Sequence, residues 1–356
     1  MRNQLLKTYL PFLSIAMILV MGMAFPSCKK DRLFTDGDAR LSFLTDTLTF
    51  DTLFVTLGST TRSFTVRNPY NRTIEISNIF LAGGSNSSFR LNIDGDPVNS
   101  AVGVQIPAKD SIYIFVEVTV DPGETDLPFL ILDSVMFLTN GNQQRVVLQA
   151  YGQNARFFNG ETIQSQTWTN ELPYVILNSL EVEAGHTLSI QKGVTVYFGG
   201  SSGLFVNGTL KVEGGVDTSD LVTFRGYRLD RQPNGVPYDD LPGQWLGVFL
   251  LRNSTGHHIN HLQMRGSQFG LNVGNTTLEA LPQVSPANAP DLKISNSRIK
   301  NSSTYGLFGF LANIDAENVL IHDVGISAVS LSLGGEYNFR HCTFFLRSSV
   351  FFDHRD

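Results

Sequence analysis

In its C-terminal third the chain repeats one six-residue pattern four times: apolar–x–(Asn/His)–x–x–apolar. The copies are Ile259 to Met264 around His261, Ile294 to Ile299 around Asn296, Ala316 to Ile321 around Asn318, and Phe339 to Phe344 around His341. The last three polar positions lie 22 and 23 residues apart. The first gap is 35 residues and holds a Pro-rich stretch, Leu281 to Pro290, read as a loop inserted into one repeat. A period of this length calls for short units that each bury one face on the next.

Upstream of the repeats the same economy is written in triplets. Leu180-Glu-Val182, Leu188-Ser-Ile190, Val194-Thr-Val196, Leu204-Phe-Val206, Leu210-Lys-Val212 and Val222-Thr-Phe224 alternate apolar and polar, with Gly185, Gly193, Gly203, Gly208 and Gly214 between them. Strands this short, joined by glycine corners, suit a coil of parallel β-strands. Leucine-rich repeats share the period but place Leu three and five residues before the Asn. Here Leu292 and Ile294 stand four and two residues before Asn296, so that family is excluded. Strand alternation then predicts Asn296, Asn318 and His341 on the core side, stacked as a buried ladder. The chain resembles the right-handed parallel β-helix proteins, the pectate-lyase-like superfamily in its broad sense, from about Leu172 onward. Val194-Thr-Val-Tyr-Phe198, Val222-Thr-Phe-Arg-Gly226 and Gly243-Gln-Trp-Leu-Gly247 carry that resemblance.

From Leu41 to about Asn154 the alternation is longer-ranged and broken by turns. Roughly seven strands are expected there, among them Ser63 to Asn68, Ser111 to Val120, and Ser134 to Leu138 paired with Arg145 to Gln149 across Asn140-Gly-Asn. Phe64-Thr-Val-Arg-Asn-Pro69, Ile106-Pro-Ala-Lys-Asp-Ser-Ile112, Phe115 to Pro122 and Leu148-Gln-Ala-Tyr-Gly152 resemble the ASH-type immunoglobulin-like modules. That resemblance implies a spacer or docking unit without catalytic residues. Thr47, Thr52, Ser111 and Ser134 each follow an Asp and precede an apolar residue, resembling an O-glycosylation sequon of Gram-negative secreted proteins.

Arg2 and Lys7 precede an apolar stretch, Leu10 to Phe25, that is short for a membrane span. With Phe25-Pro-Ser-Cys28 it resembles a bacterial lipoprotein signal, which makes Cys28 the lipid anchor and residues 1–27 the signal. The expectation is an all-β envelope protein anchored to the outer membrane. A tether would span 28–40, an immunoglobulin-like β-sandwich 41–154, a linker 155–172 and a right-handed parallel β-helix 173–356. Cys342 is then left without a partner and is expected in the core. Loss of residues 1–27 removes two basic groups and no acidic ones, taking the net charge from −6 to −8. Such acidity argues against nucleic acid as a partner. Polysaccharide or an envelope protein fits better.

The family's enzymes gather carboxylates on an outward strand face, with calcium and an Arg or Lys base in its lyases. Asp315 and Glu317, with Asp323 and Arg340, are the catalytic candidates. Tyr238, Asp239 and Asp240, in an inserted acidic loop, are the candidates for a sugar or for calcium; no other cofactor is expected. His257, His258 and His261 approach metal-ligand spacing, with His257 and His261 on one strand face, but no Cys or carboxylate nearby completes a set, and no metal site is assigned. The favoured function is a non-catalytic, adhesin-like binding surface. A polysaccharide lyase or hydrolase, and a structural spacer, are the alternatives.

Overall fold

The computed structural model describes residues 32–54, 61–119, 129–232, 235–252, 254–275 and 291–346. The signal and Cys28, the Pro-rich insertion and everything from Ser348 on lie outside these residues. The protein is all-β, with one large parallel sheet.

Between Ser42 and Gln153 two sheets enclose one core. One holds Ser42–Phe43, Arg62–Arg67, Ser111–Val118 and Phe89–Ile93, all antiparallel. The other runs Thr47–Phe54, Asn142–Gln153, Phe129–Thr139, Ile74–Leu81, Ser100–Ile106, and only its first pair is parallel. Alternation works as the sequence predicts: Ile112, Ile114, Val116 and Val118 are buried, while Tyr113 and Phe115 face out. Asn68 shows why the Arg-Asn-Pro corner needs an amide. Its fully buried Nδ2 donates to the carbonyls of Arg72, Ile106 and Pro107, and its Oδ1 accepts the Tyr70 N–H. Thr47, Thr52, Ser111 and Ser134 lie half-buried on strands. Residues 34–40, read as the end of a tether, instead pack on this unit. Phe34 stacks on Tyr70 at 4.1 Å, and the Asn140 and Asn142 amides bind the carbonyls of Phe34, Asp36, Gly37 and Ala39.

From Arg156 on, the described strands pair only in parallel, in three ladders. The first contains Gly203–Val206, Gly247–Leu251, Leu271–Asn275, Tyr305–Phe310 and Ser327–Ser332. The second contains Thr187–Gln191, Thr209–Glu213, His257–Asn260, then the leading halves of Asp291–Lys300 and Asn313–Val324, then Tyr337–Arg340. The third contains Thr195–Phe198, Val222–Gly226, Leu262–Arg265, the trailing halves of the same two long strands, and Thr343–Leu346. Both apolar members of every triplet are buried at 1% exposure or less, in a core distinct from that of the first unit. Trp245 lies in this core, stacked on Phe198 at 4.0 Å. Cys342 is only partly buried against that core; its thiol lies 3.2 Å from the Arg340 carbonyl.

The repeated Asn and His positions are not inward. His261, Asn296, Asn318 and His341 have φ of 54°, 48°, 55° and 54°, forming the corner between the second and third ladders. A left-handed residue breaks the alternation, so each side chain leaves the core at the bend; Asn tolerates that conformation better than most residues do. The ladder itself exists, on the exposed corner. Asn318 Nδ2 donates to Asn296 Oδ1 at 2.8 Å, and Asn296 Nδ2 to Asn260 Oδ1 at 3.0 Å. Replacing Asn296 by Val is expected to lower stability by about 2–3 kcal/mol, through strain at positive φ plus two lost bonds. Asn296→Gly should lose only about 1 kcal/mol, because it keeps the backbone conformation. Urea unfolding of the two variants separates strain from hydrogen bonding.

Candidate functional site

Two outward faces carry chemistry. On the second ladder, Lys211, His258, Lys293, Asp315 and Asn338 are register partners on successive strands. Beside them run Glu213, Asn260, Ser295, Glu317 and Arg340. Here the structure brings three catalytic candidates together. Arg340 NH2 lies 3.4 Å from Asp315 Oδ1 and 3.1 Å from Glu317 Oε2, and Asn338 Nδ2 donates to Asp315 Oδ1 at 3.1 Å. All three are open to solvent, with side chains 42–54% exposed. A groove of about 560 Å³ opens at this edge, lined by His258, Lys293, Asp315, Glu336, Tyr337 and Asn338 among others.

Asp323 does not join them. It follows the left-handed corner at Asn318, on the third-ladder side, and its Oδ2 lies 2.7 Å from His322 Nδ1. Arg298 Nε donates to His322 Nε2 at 2.6 Å, which leaves Nδ1–H to donate a hydrogen bond to Asp323 Oδ2. Phe345 stacks on the His322 ring at 5.2 Å.

The three neighbouring histidines serve separate ends. His257 is buried, its Nδ1 accepting the Leu210 N–H at 3.1 Å and its Nε2 meeting Ser254 Oγ at 2.9 Å. His258 points out, 3.8 Å from Glu213, and His261 sits at the corner. The corner at His261 separates it from His257, because a left-handed residue ends the alternation that would have aligned them. Among the described residues no cluster of three or more His, Cys, Asp or Glu is placed to hold a metal.

The third ladder holds what sequence reasoning missed. Tyr197 and Arg225 are register partners, Phe224 pairs with Met264 and so sets Arg225 beside Arg265, Arg265 pairs with Lys300, and Lys300 with His322. The acidic loop folds down onto this column. Asp239 Oδ1 is 3.0 Å from Arg225 NH2 and 2.8 Å from Arg265 Nε, while Asp240 Oδ1 is 3.9 Å from Lys300 Nζ. Tyr238 lies under the Arg228 guanidinium, 3.5 Å from ring centre to charge, and Arg228 also grips Asp230 through two donors. Burial pulls the Arg225 pKa down, opposed chiefly by Asp239, and pushes the Tyr197 phenol up, opposed by Arg225 and Arg265. The sequence signal was present: a cation directly follows the second apolar residue in Phe224-Arg225, Met264-Arg265 and Ile299-Lys300.

No protein-family profile and no curated protein matches the sequence. Among solved structures, a family 123 glycoside hydrolase from Clostridium perfringens, studied for glycolipid glycan hydrolysis, is similar at 7% identity and TM-score 0.24. That match covers 35% of this chain and 26% of the hydrolase. The ASH/PapD-like domain 7 of human CEP192 is similar at 9% identity and TM-score 0.23, over 36% of this chain and 97% of that domain. At these scores neither likeness bears on activity.

Proposed function

We propose that the chain is a lipid-anchored envelope protein in which an immunoglobulin-like sandwich, about 41–154, carries a right-handed parallel β-helix from about residue 173. Its function is non-catalytic binding, through the groove and strand face of the second ladder, to a glycan or a partner protein. One observation carries this reading: Asp315 and Glu317 share Arg340 on an open, solvated face. Carboxylates engaged by a guanidinium in water are suited to holding a ligand's hydroxyls and charges, whereas acid–base catalysis calls for carboxyls perturbed by burial in a cleft. The groove's size falls within the range of ligand pockets, roughly 300–1,000 Å³. Tyr337 offers an aromatic surface there, and Lys293, His258 and Asn338 offer donors. Asp323, the fourth catalytic candidate, lies apart from this group and is bonded to His322.

The test is an array of acidic and neutral polysaccharides, with and without calcium, probed with soluble protein beginning at Lys29. Retention without cleavage, lost in Asp315→Ala/Lys293→Ala, is the expected result. New reducing ends or unsaturated products that vanish in Glu317→Gln would make the protein an enzyme. Absence of both would leave the spacer reading.

A further inference from the structure

The column Tyr197, Arg225, Arg265, Lys300 is built differently from every expectation for a passive strand face. Adjacent strands stand about 4.8 Å apart, and like charges directly opposite each other cost stability. The second ladder avoids this by mixing Lys211, His258, Lys293 and Asp315. The third places three cations in succession, in a chain whose net charge is −6. Their side chains are largely sheltered, at 15%, 22% and 23% exposure. What shelters and neutralises them is peptide from the same chain, the short turn Tyr238–Asp240.

The fit is incomplete. A single oxygen, Asp239 Oδ1, serves both guanidiniums, and the Nε–H groups of Arg225 and Arg265 are buried without a hydrogen-bond acceptor. The Arg265 Nε contact is close enough for charge attraction but poorly angled for a hydrogen bond. Two guanidinium forks have the capacity for two bidentate carboxylates, and the turn supplies less than one. Tyr197 closes the far end: its ring lies 5.6 Å from the Arg225 charge and 4.7 Å from the Phe54 ring of the first unit. The Tyr197 end of the strip therefore lies against the first unit.

We propose that the Tyr197–Arg225–Arg265–Lys300 strip is a docking site for an aromatic–acidic peptide segment of a partner protein, occupied in the free protein by Tyr238-Asp239-Asp240 acting in cis. The inference goes beyond the glycan-or-protein face of the second ladder and uses a separate surface. A peptide is favoured because a peptide is what the strip already holds: two consecutive acidic side chains reach three cations, and the neighbouring phenol ring stacks under Arg228. The tethered turn competes at an effective concentration of about a millimolar or more, so a partner gains entry by satisfying the donors that Asp239 leaves free.

The probe is a fluorescein-labelled peptide with the sequence of Val236 to Pro242, Val-Pro-Tyr-Asp-Asp-Leu-Pro, followed by anisotropy. Asp239→Asn/Asp240→Asn, which empties the strip of its own carboxylates, should bind the peptide at least ten-fold more tightly than the unchanged protein. Adding Arg265→Gln to that variant should return binding to the starting level, and a peptide with Asn in place of both Asp should not bind. Should the double variant not fold by circular dichroism, the unchanged protein supplies the reading. An excess of the acidic peptide, and not of its neutral analogue, should then hasten tryptic cleavage after Arg231 by releasing the loop. Equal binding to two folded proteins, or cleavage indifferent to the peptide, overturns the site. Binding of polygalacturonate by the opened variant with none of the peptide overturns the choice of partner. Glycan retention through Lys293 and Asp315 is measured independently, so the failure of either proposal leaves the other readable.

Discussion

Gly270→Ala is expected to prevent the protein from accumulating in folded form, or to lower its stability by about 4 kcal/mol or more. Gly270 stands at the entrance to the first ladder, in line with Gly203, Gly247 and Gly306. Its N–H donates to the Tyr305 carbonyl at 2.8 Å, and its own carbonyl accepts the Val248 N–H at 3.1 Å. A methyl group there would lie inside van der Waals contact of the Gly306 carbonyl oxygen. The obstacle is backbone, fixed by its own ladder, so no rotamer change relieves it. Gly200→Ala is the control, since a Cβ there meets nothing within 4 Å, and its expected effect is within about 0.5 kcal/mol. Thermal unfolding by circular dichroism distinguishes the two; similar midpoints would show that the ladder can open at Gly270.

Trp245→Ala should cost about 3–5 kcal/mol. The indole is 1% exposed, lies parallel to Phe198 at 4.0 Å, and donates from Nε1 to the Arg265 carbonyl at 2.9 Å. Truncation leaves a cavity and strips that carbonyl of its partner. The same residue both anchors the loop carrying Asp239 and bonds the strand carrying Arg265, so its loss should also loosen the ionic clasp. Trp245→Phe keeps the ring stack and is expected to lose about 1–2 kcal/mol, the share of the hydrogen bond. Equal losses in urea unfolding would assign the whole effect to the hydrogen bond and none to the ring stack.

The triplets were legible because both apolar members of each must face one core, and burial follows that period without exception from Leu180 to Phe224. The corner was misread because alternation was carried through Asn296 and Asn318; one left-handed residue reverses the parity of everything after it. The same break parted His257 from His261, which strand alternation had aligned, and Asp323 from Glu317. Register alone puts Asp315 and Glu317 next to Arg340. In the first unit the strands Phe89–Ile93 and Ser100–Ile106 escaped notice, being short and set among Gly, Ser, Asn and Asp. The loop was noticed for its acids, but its partners Arg225 and Arg265 belong to two different strands, and nothing local in the loop announces them.

The two halves also differ in what they ask of a growing chain. In the first unit, Thr47–Phe54 finds its partner only in Asn142–Gln153, so its sheet waits for nearly the whole unit to be made. In the parallel half the described strands pair with ones shortly before them in the chain, Leu210 with Leu188 and Leu262 with Val222. Closing short segments in order carries a smaller entropic cost than joining distant ones. The parallel half can therefore be laid down strand upon strand as the chain emerges, beginning near Trp168 and Tyr174, whose rings stack at 4.2 Å.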